Sequence, residues 1–401
     1  MQLNKPKLII EISEKKFIFL VLKFNHELNP NFLEIIDIKS EGVTNGKITD
    51  ANKSYEIIYN QMKIIEDKIN FTFKDVSIVL DQNNAKCINI SGSKKLYGRQ
   101  VQKDDISFVL NNLKKLILEN NKNLSLIHLF NSKFNLDNTE VKTLPIGLHG
   151  NFYNQQLTFF LLPTNDLKNL NLVMNKCNLN IEKIVLKNFV EGTELINRYK
   201  ENKNFFNIKI EKDKSSISFF SNSSYVYNES FNFGSKIILN DICKLCSLDY
   251  ETVEKILLNE KLDKFQDENK KELFLNKSYF NGNLYRKISI SHLNEIISAR
   301  INEMLNIIYI KNINLVSCKQ SNQIINIKFL EDRLMKNLHS FFENNFNSQE
   351  NINFLNSTNN SYTLDPAASA ELIAKGWEKE AIPIVQTKKS IISRIFSSFF
   401  N

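Results

Sequence analysis

The side chains best suited to chemistry in this chain are few and poorly grouped. Cys243 and Cys246 form a lone C-x-x-C. A thiolate zinc site needs a second such pair at defined spacing, and only Cys318 lies downstream. The pair falls on an expected helix and reads as structural, buried thiols. The five histidines, His26, His128, His149, His292 and His339, show neither metal-ligand nor triad spacing. No Gly-x-Ser-x-Gly nucleophile element and no GxxxxGK[ST] phosphate loop occurs. Asp104 and Asp105 precede a helix, where acids favour the N-terminal dipole and serve structure rather than catalysis. No metal site is expected.

A different chemistry, that of a surface, is written in residues 388–401. On a helix of 3.6 residues per turn, Ile391, Ile392, Ile395, Phe396, Phe399 and Phe400 share one half of the circumference. Ser393, Arg394, Ser397 and Ser398 share the other. Lys388 and Lys389 sit just upstream, and no acid follows Thr387. Such a basic amphipathic helix lies in a membrane interface; it is too short to span, which takes about 20 apolar residues. Pro383 and the polar run QTKKS make the approach look like a tether. A helix docked on its own domain is the other reading.

The elements that must position these groups are those of an ordinary globular protein. The 401 residues suffice for two or more cores, and 42% are hydrophobic against 24% charged. There is no transmembrane-length apolar run, and the residues MQLNKPKLII lack the basic and apolar regions of a signal peptide, so none is expected. An odd number of scattered cysteines, five, gives no disulfide framework and points to a reducing cytoplasm. The net charge of +8 comes with abundant Lys, Asn, Ile and Phe and only 10 glycines, the joint bias of an AT-rich coding sequence. Without a basic-aromatic stripe, no nucleic-acid partner is expected.

In order, the patterns predict strands at 8–12, 17–24 and 32–39 and a helix capped by Thr49 or Asp50 with Ile58, Met62, Ile65 and Ile69 on one face. A strand at 76–80 follows. Next come a strand at 86–90, a helix at 104–119, and strands at 124–130 and near 141–144. A buried-type strand at 157–162, a helix at 166–177 and a strand at 181–186 close the first half. From 205 the opening order repeats: a hairpin of 205–210 and 216–220, a third strand at 225–233, and a helix at 237–246. An internal duplication on this scale is a strong organisational signal. A charged stretch at 258–271, an amphipathic helix at 291–307, a strand at 313–316, an Asn/Ser-rich loop or poorly ordered connection at 343–362 and a helix at 366–377 complete the chain.

Several segments carry a family resemblance. The run Ile10-Glu11-Ile12-Ser13-Glu14-Lys15-Lys16 matches a first phosphate loop of acidic-apolar-Gly-polar-x-Lys pattern at Glu11 and Lys16. Gly234-Ser235-Lys236-Ile237-Ile238-Leu239-Asn240-Asp241-Ile242 is similar to a Gly-x-x-x-x-Thr-x-Asp-Ile segment. The run at 248–254 follows it, and the helix at 293–305 carries an Arg-x-x-Glu pair, Arg300 and Glu303. In this order, with the amphipathic tail, the chain resembles FtsA, the actin-like family of bacterial cell division.

The resemblance implies an α/β, actin-like (ribonuclease H-like) duplicated fold with an inserted subdomain in each half. Subdomain 1A would comprise 1–82, continued at 158–190 and 331–380, with 1C inserted at 83–157. Subdomain 2A would comprise 191–245 and 287–330, with 2B inserted at 246–286, and 381–401 would be linker and membrane-targeting helix. The implied function is anchoring of FtsZ filaments, the Z ring, to the cytoplasmic face of the inner membrane at the division site, with recruitment of later division proteins. Implied partners are the FtsZ C-terminal tail, held around 246–300 with Arg286, Lys287 and the lysine-rich stretch 255–271, anionic lipid, and further copies in filaments. ATP with magnesium is the family default, and Glu11, Lys16, Gly234, Arg300 and Glu303 stand at relic nucleotide positions.

The departures argue against that default. Where the family has Asp-x-Gly-Gly-Gly-Thr, this chain has Lys209-Ile210-Glu211-Lys212-Asp213-Lys214. Such loops need glycine for backbone N–H groups to approach a polyphosphate and an acid for the magnesium waters. In the first loop the glycine is Ser13, followed by Glu14, and in the adenosine segment Gly-Gly is Cys318-Lys319. A protein without ATP chemistry, and no enzyme, is expected. The rivals are an ATP-using enzyme of the actin superfamily and an actin-like adaptor of pilus assembly, which binds an inner-membrane peptide.

Overall fold

The computed structural model describes residues 5–199, 204–260, 262, 273–280, 285–319, 323–330, 332–346, 350–355 and 366–381. The expected amphipathic helix at 388–401 lies outside the described residues, as does most of the charged stretch at 258–271. The described parts of 1–203, 220–228 and 363–401 form one compact unit, and those of 204–219 and 229–362 form another.

The first unit opens with an antiparallel meander, β1 (Lys7–Ile12), β2 (Lys16–Phe24) and β3 (Pro30–Lys39). β1 and β2 are buried on both faces, which their unbroken runs LIIEI and FIFLVL require. β3, at the sheet edge, alternates half-buried and exposed. After the small hairpin β4 (Val43–Thr44) and β5 (Lys47–Ile48), helix α1 (Ala51–Ile69) begins where the Asp50 carboxylate accepts from the N–H groups of Asn52 and Lys53. It buries Ile58, Met62 and Ile65. β6 (Asp75–Leu80) then pairs parallel to β1, with Ile12 opposite Leu80.

An inserted layer follows: β7 (Lys86–Lys95), α2 (Lys103–Asn120), β8 (Leu124–Leu136), β9 (Thr139–Val141) and β10 (Phe152–Pro163). Its antiparallel sheet has the order β7-β10-β8-β9. Val109, Leu113 and Ile117 of α2 share one core with Leu129, Phe159 and Leu161 of the sheet. Asp105 has the structural role expected of it: its carboxylate takes the Gln102 N–H at 3.0 Å and a bidentate Arg99 at 2.6 and 2.7 Å. The Arg99 hydrogen bonds hold its pKa below the usual carboxylate range. The chain returns through α3 (Thr164–Lys176) to β11 (Asn180–Leu186), parallel to β6, and α4 (Lys187–Arg198), giving the sheet order β11-β6-β1-β2-β3.

The second five-stranded sheet repeats that order. β12 (Phe205–Ile210), β13 (Ser215–Ser221) and β14 (Ser224–Phe231) are followed by α5 (Lys236–Cys246), α6 (Tyr250–Asn259) and α7 (Ile290–Leu305). β15 (Ile324–Phe329) runs parallel to β12. After the short α8 (Asp332–Met335) and α9 (His339–Glu343), β16 (Asn351–Leu355) runs parallel to β15. The order β14-β13-β12-β15-β16 is strand for strand that of the first sheet.

The structure departs from the sequence pattern in two places. Residues 313–316 are no strand: α7 passes into a π turn, Asn306–Ile310, and a 3-10 turn, Ile313–Leu315, started by the Asn312 side chain accepting from Asn314 N–H. The strand of this region is β15. Residues 343–362 are not all loop, because Ile352 and Phe354 alternate with asparagines in β16.

The chain re-enters the first unit as α10 (Pro366–Lys375) and ends, among the described residues, in a short strap against β8. Asn131 N–H donates to Lys379 O at 2.8 Å and Ala381 N–H to Leu129 O at 2.7 Å, while the Trp377 indole donates to Ser223 O at 2.6 Å. Between them the buried Glu380 carboxylate meets His128 Nδ1 at 2.7 Å. His128 Nε2 accepts the Leu186 N–H at 3.1 Å, so Nδ1 carries the proton and donates to Glu380.

Candidate functional site

Three adjacent parallel strands of the first unit, β1, β6 and β11, deliver Glu11, Asp81 and Lys187 to the same end of the sheet. The carboxyl ends of parallel strands are where open α/β sheets place their ligand crevices. Lys187 Nζ sits 2.7 Å from Glu11 Oε1 and 3.2 Å from Asp81 Oδ2. Glu11 is fully buried, and Lys187 and Asp81 nearly so. Burial pushes the Glu11 carboxyl up, against the pull of Lys187, and the neighbouring Asp81 and Glu191 charges add to the rise. Burial alone would lower Lys187, but Asp81, Glu11 and Glu191 outweigh it and hold the ammonium well above its usual range. The lysine thus stays charged between Glu11 and Asp81, while burial leaves the Glu11 carboxyl above its ordinary range.

The structure does not bring Glu11 and Lys16 together. In the turn between β1 and β2 the Ser13 hydroxyl donates to Lys16 O at 2.7 Å and accepts from Lys16 N–H at 3.2 Å. The Glu14 carboxylate takes the Asn45 N–H at 3.1 Å, and Ser40 Oγ donates to Glu14 O at 2.6 Å. The Lys16 ammonium pairs with Asp37 on β3, the opposite side of the sheet from β11.

In the second unit the loop after β12 closes on itself. Glu211 N–H donates to Lys214 O at 2.9 Å, and Lys214 and Lys236 form ion pairs with Glu211 and Asp213 at 3.5 and 3.1 Å. The N–H groups of Ser235 and Lys236, at the start of α5, donate to Glu211 O at 2.8 Å and Lys212 O at 3.0 Å. A helix N-terminus is an anion site when such donors face a ligand; here the chain's own carbonyls take them. Gly234 permits this approach, since a Cβ there would lie 2.1 Å from Glu211 O and 2.6 Å from Lys212 O.

Arg300 on α7 grips Asp241 on α5 and, at 2.5 Å, Glu303 one turn on. Lys319 caps the π turn, donating to Tyr309 O at 2.7 Å and Ile310 O at 2.9 Å, and burial pushes its ammonium down. Cys246 is buried and Cys243 half-buried on α5, and burial raises both thiols. Arg286 Nη1 reaches Cys246 O and Ser247 O at 3.4 Å, and Lys287 lies over the Phe274 ring at 4.1 Å. Of 255–271, the structure describes 255–260 and 262. Among the described residues no cluster of three or more His, Cys, Asp or Glu is placed to hold a metal. Nor is any helix among them long and apolar enough to cross a membrane.

Asp81 and Lys187 are the site residues that pattern reading passes over. Each directly follows an apolar strand, VSIVL and KIVL, which is the one local signal they give.

No protein-family model and no curated protein sequence matches the chain. Among solved structures it is similar to the PilM–PilN type IV pilus biogenesis complex, with a TM-score of 0.51 at 11% identity over 87% of this chain and 88% of that one. Weaker likenesses include the ethanolamine utilization protein EutJ from Carboxydothermus hydrogenoformans, TM-score 0.42 at 7% identity over 92% and 90%. MreB5 of Spiroplasma citri bound to ADP gives 0.41 at 11% identity over 93% and 96%. With two five-stranded sheets of one strand order, the chain has the mixed α/β architecture of the actin-like ATPase fold.

Proposed function

We propose that this chain is a nucleotide-independent adaptor of actin-like fold, an FtsA-like tether that holds FtsZ-type filaments at the cytoplasmic face of the membrane. The observation that carries the first half of this reading is Lys187. A magnesium nucleotide needs carboxylates free to hold metal-bound water and N–H groups free to cradle phosphate. Glu11 and Asp81 instead hold an ammonium of the chain itself, and the donors at the start of α5 are spent on Glu211 O and Lys212 O. Lys16 pairs with Asp37 on the neighbouring strand, and Arg300 pairs with Asp241 on α5 and with Glu303. These residues do not fit the nucleotide, and no hydrolytic step is assigned to them.

The tethering half rests on the amphipathic pattern of 388–401 and on the FtsA resemblance. The acidic FtsZ tail would meet the surface of α6 and the residues around Arg286 and Lys287, and filaments of this chain would gather many membrane helices together. Weak single attachments then multiply through effective concentration.

Isothermal titration with magnesium-ATP checks the first half: no saturable heat is expected up to millimolar nucleotide, and micromolar affinity or turnover refutes it. Capture of the cognate FtsZ tail peptide by the full chain, lost on raising salt, checks the second. Capture instead of a peptide from an inner-membrane pilus-assembly protein would move the adaptor to the other system, in keeping with the PilM–PilN likeness in fold.

A further inference from the structure

The strap fixes where residues 382–401 leave the body, and that place adjoins an apolar surface. Lys379 Nζ donates to Lys142 O at 3.3 Å, so the exit stands beside the first residues of the segment joining β9 to β10. Beyond Lys142 there is no Asp, Glu, Lys or Arg until Asp166. The segment exposes Leu144 at 40%, Ile146 at 45%, Leu148 at 52% and Phe152 at 50%, with Tyr97 at 84% alongside. It is held in shape by backbone bonds to 96–101: Val101 N–H to Leu148 O and Gly147 N–H to Val101 O, both 2.9 Å, and Leu96 N–H to Asn151 O, 2.7 Å. A run of large apolar side chains on a preformed backbone marks an interaction site rather than scattered surface residues.

We propose that, away from lipid, the apolar face of 388–401 docks on Leu144, Ile146, Leu148, Phe152 and Tyr97 of its own chain, so that membrane and patch compete for one helix face. Six residues, 382–387, separate the strap from the helix and span about 20 Å when extended. Leu144 is two residues from Lys142, within about 7 Å of the exit point by the same measure. A segment tethered this closely meets the patch at millimolar effective concentration, so a weak contact suffices to shield it. The proposal rests on reading 388–401 as an amphipathic helix, though not on its affinity for lipid.

The test uses the full chain with Ile146→Ser and Leu148→Ser combined, and separately Phe396→Glu, which leaves the patch intact should the double variant melt early. Without lipid, trypsin cleavage after Lys388, Lys389 and Arg394 is timed by mass spectrometry. Both variants should lose the tail at least about tenfold faster than the unaltered chain, an equilibrium shift of about 1.4 kcal/mol. The double variant should also sediment more readily with phosphatidylglycerol vesicles. Equal cleavage rates overturn docking, whatever the vesicles show. Faster cleavage with no vesicle binding by any form leaves docking standing and removes the membrane reading. Protection that grows with protein concentration assigns the patch to a second copy and overturns the intramolecular contact.

Discussion

Replacing Lys187 by methionine keeps the length of the side chain and removes its charge from between Glu11 and Asp81. Breaking a buried pair by deleting one partner costs about 3–5 kcal/mol, because the other charge stays desolvated. The contacts of 2.7 and 3.2 Å and the complete burial of Glu11 place this site in that class. For a folding unit of this size each kcal/mol moves the melting midpoint by about 2–4 °C, so Lys187→Met should melt about 6–20 °C lower near neutral pH. The pH dependence has a definite sign. The folded pKa of Glu11 already lies above its ordinary 4.5, and removing the ammonium raises it further. Between the unfolded and folded values the native state binds the extra proton, so its stability falls as pH rises. The deficit of the variant should therefore shrink toward pH 4.5 and be largest above the folded pKa. Adding Glu11→Gln to Lys187→Met removes the stranded charge and should restore part of the loss. Circular-dichroism melts of the three proteins at pH 5 and 7.5 make the measurement. Midpoints for Lys187→Met within about 2 °C of the unaltered chain at pH 7.5, or a deficit that grows on acidification, would refute the reasoning.

Gly234→Ala should destabilise by about 1–3 kcal/mol, the usual cost of overpacking, and Glu211→Ala should not rescue it, because the clash is with backbone carbonyl oxygens; chemical denaturation of both variants checks this. Glu380→Ala leaves His128 without its acceptor and should cost about 1–3 kcal/mol, the penalty of an unmet buried group. It should also speed tryptic cleavage after Lys379, and an unchanged rate would show that the strap holds without the pair. In vesicle sedimentation Phe396→Glu and Phe399→Glu should abolish lipid binding while Ser397→Glu weakens it modestly; three variants behaving alike would place the helix elsewhere than in the interface.

The strands of both sheets were legible where burial on two faces forces an unbroken apolar run, as in LIIEI and FIFLVL of β1 and β2. The duplication was legible because it repeats that order of runs. β16 was not, because NINFL mixes asparagine into a half-exposed strand and copies the composition of the loops around it. INLV at 313–316 misled in the other direction: its β-branched residues imitate a strand, yet Ile313 and Val316 are exposed and Asn312 turns the chain. At the site, Glu11 could be found as an acid within an apolar run. Its partner Lys187 stands 176 residues away, and nothing local encodes so distant a pairing. Lys16 and Arg300 were visible as charged residues, but their partners Asp37 and Asp241 are fixed by strand register and helix packing, which only the folded chain supplies.

The strap of 377–381 also determines how a mechanical load enters the protein. A pull on residues beyond Ala381 falls first on its bond to Leu129, then on the buried Glu380–His128 pair and the Lys379–Asn131 bond, and only afterwards on the Trp377 indole. The links to Leu129, His128 and Asn131 lie on β8 and, through the Leu186 N–H held by His128, on the end of β11. Tension would thus be shared between the inserted sheet and the central sheet, leaving α10 slack behind the clamp.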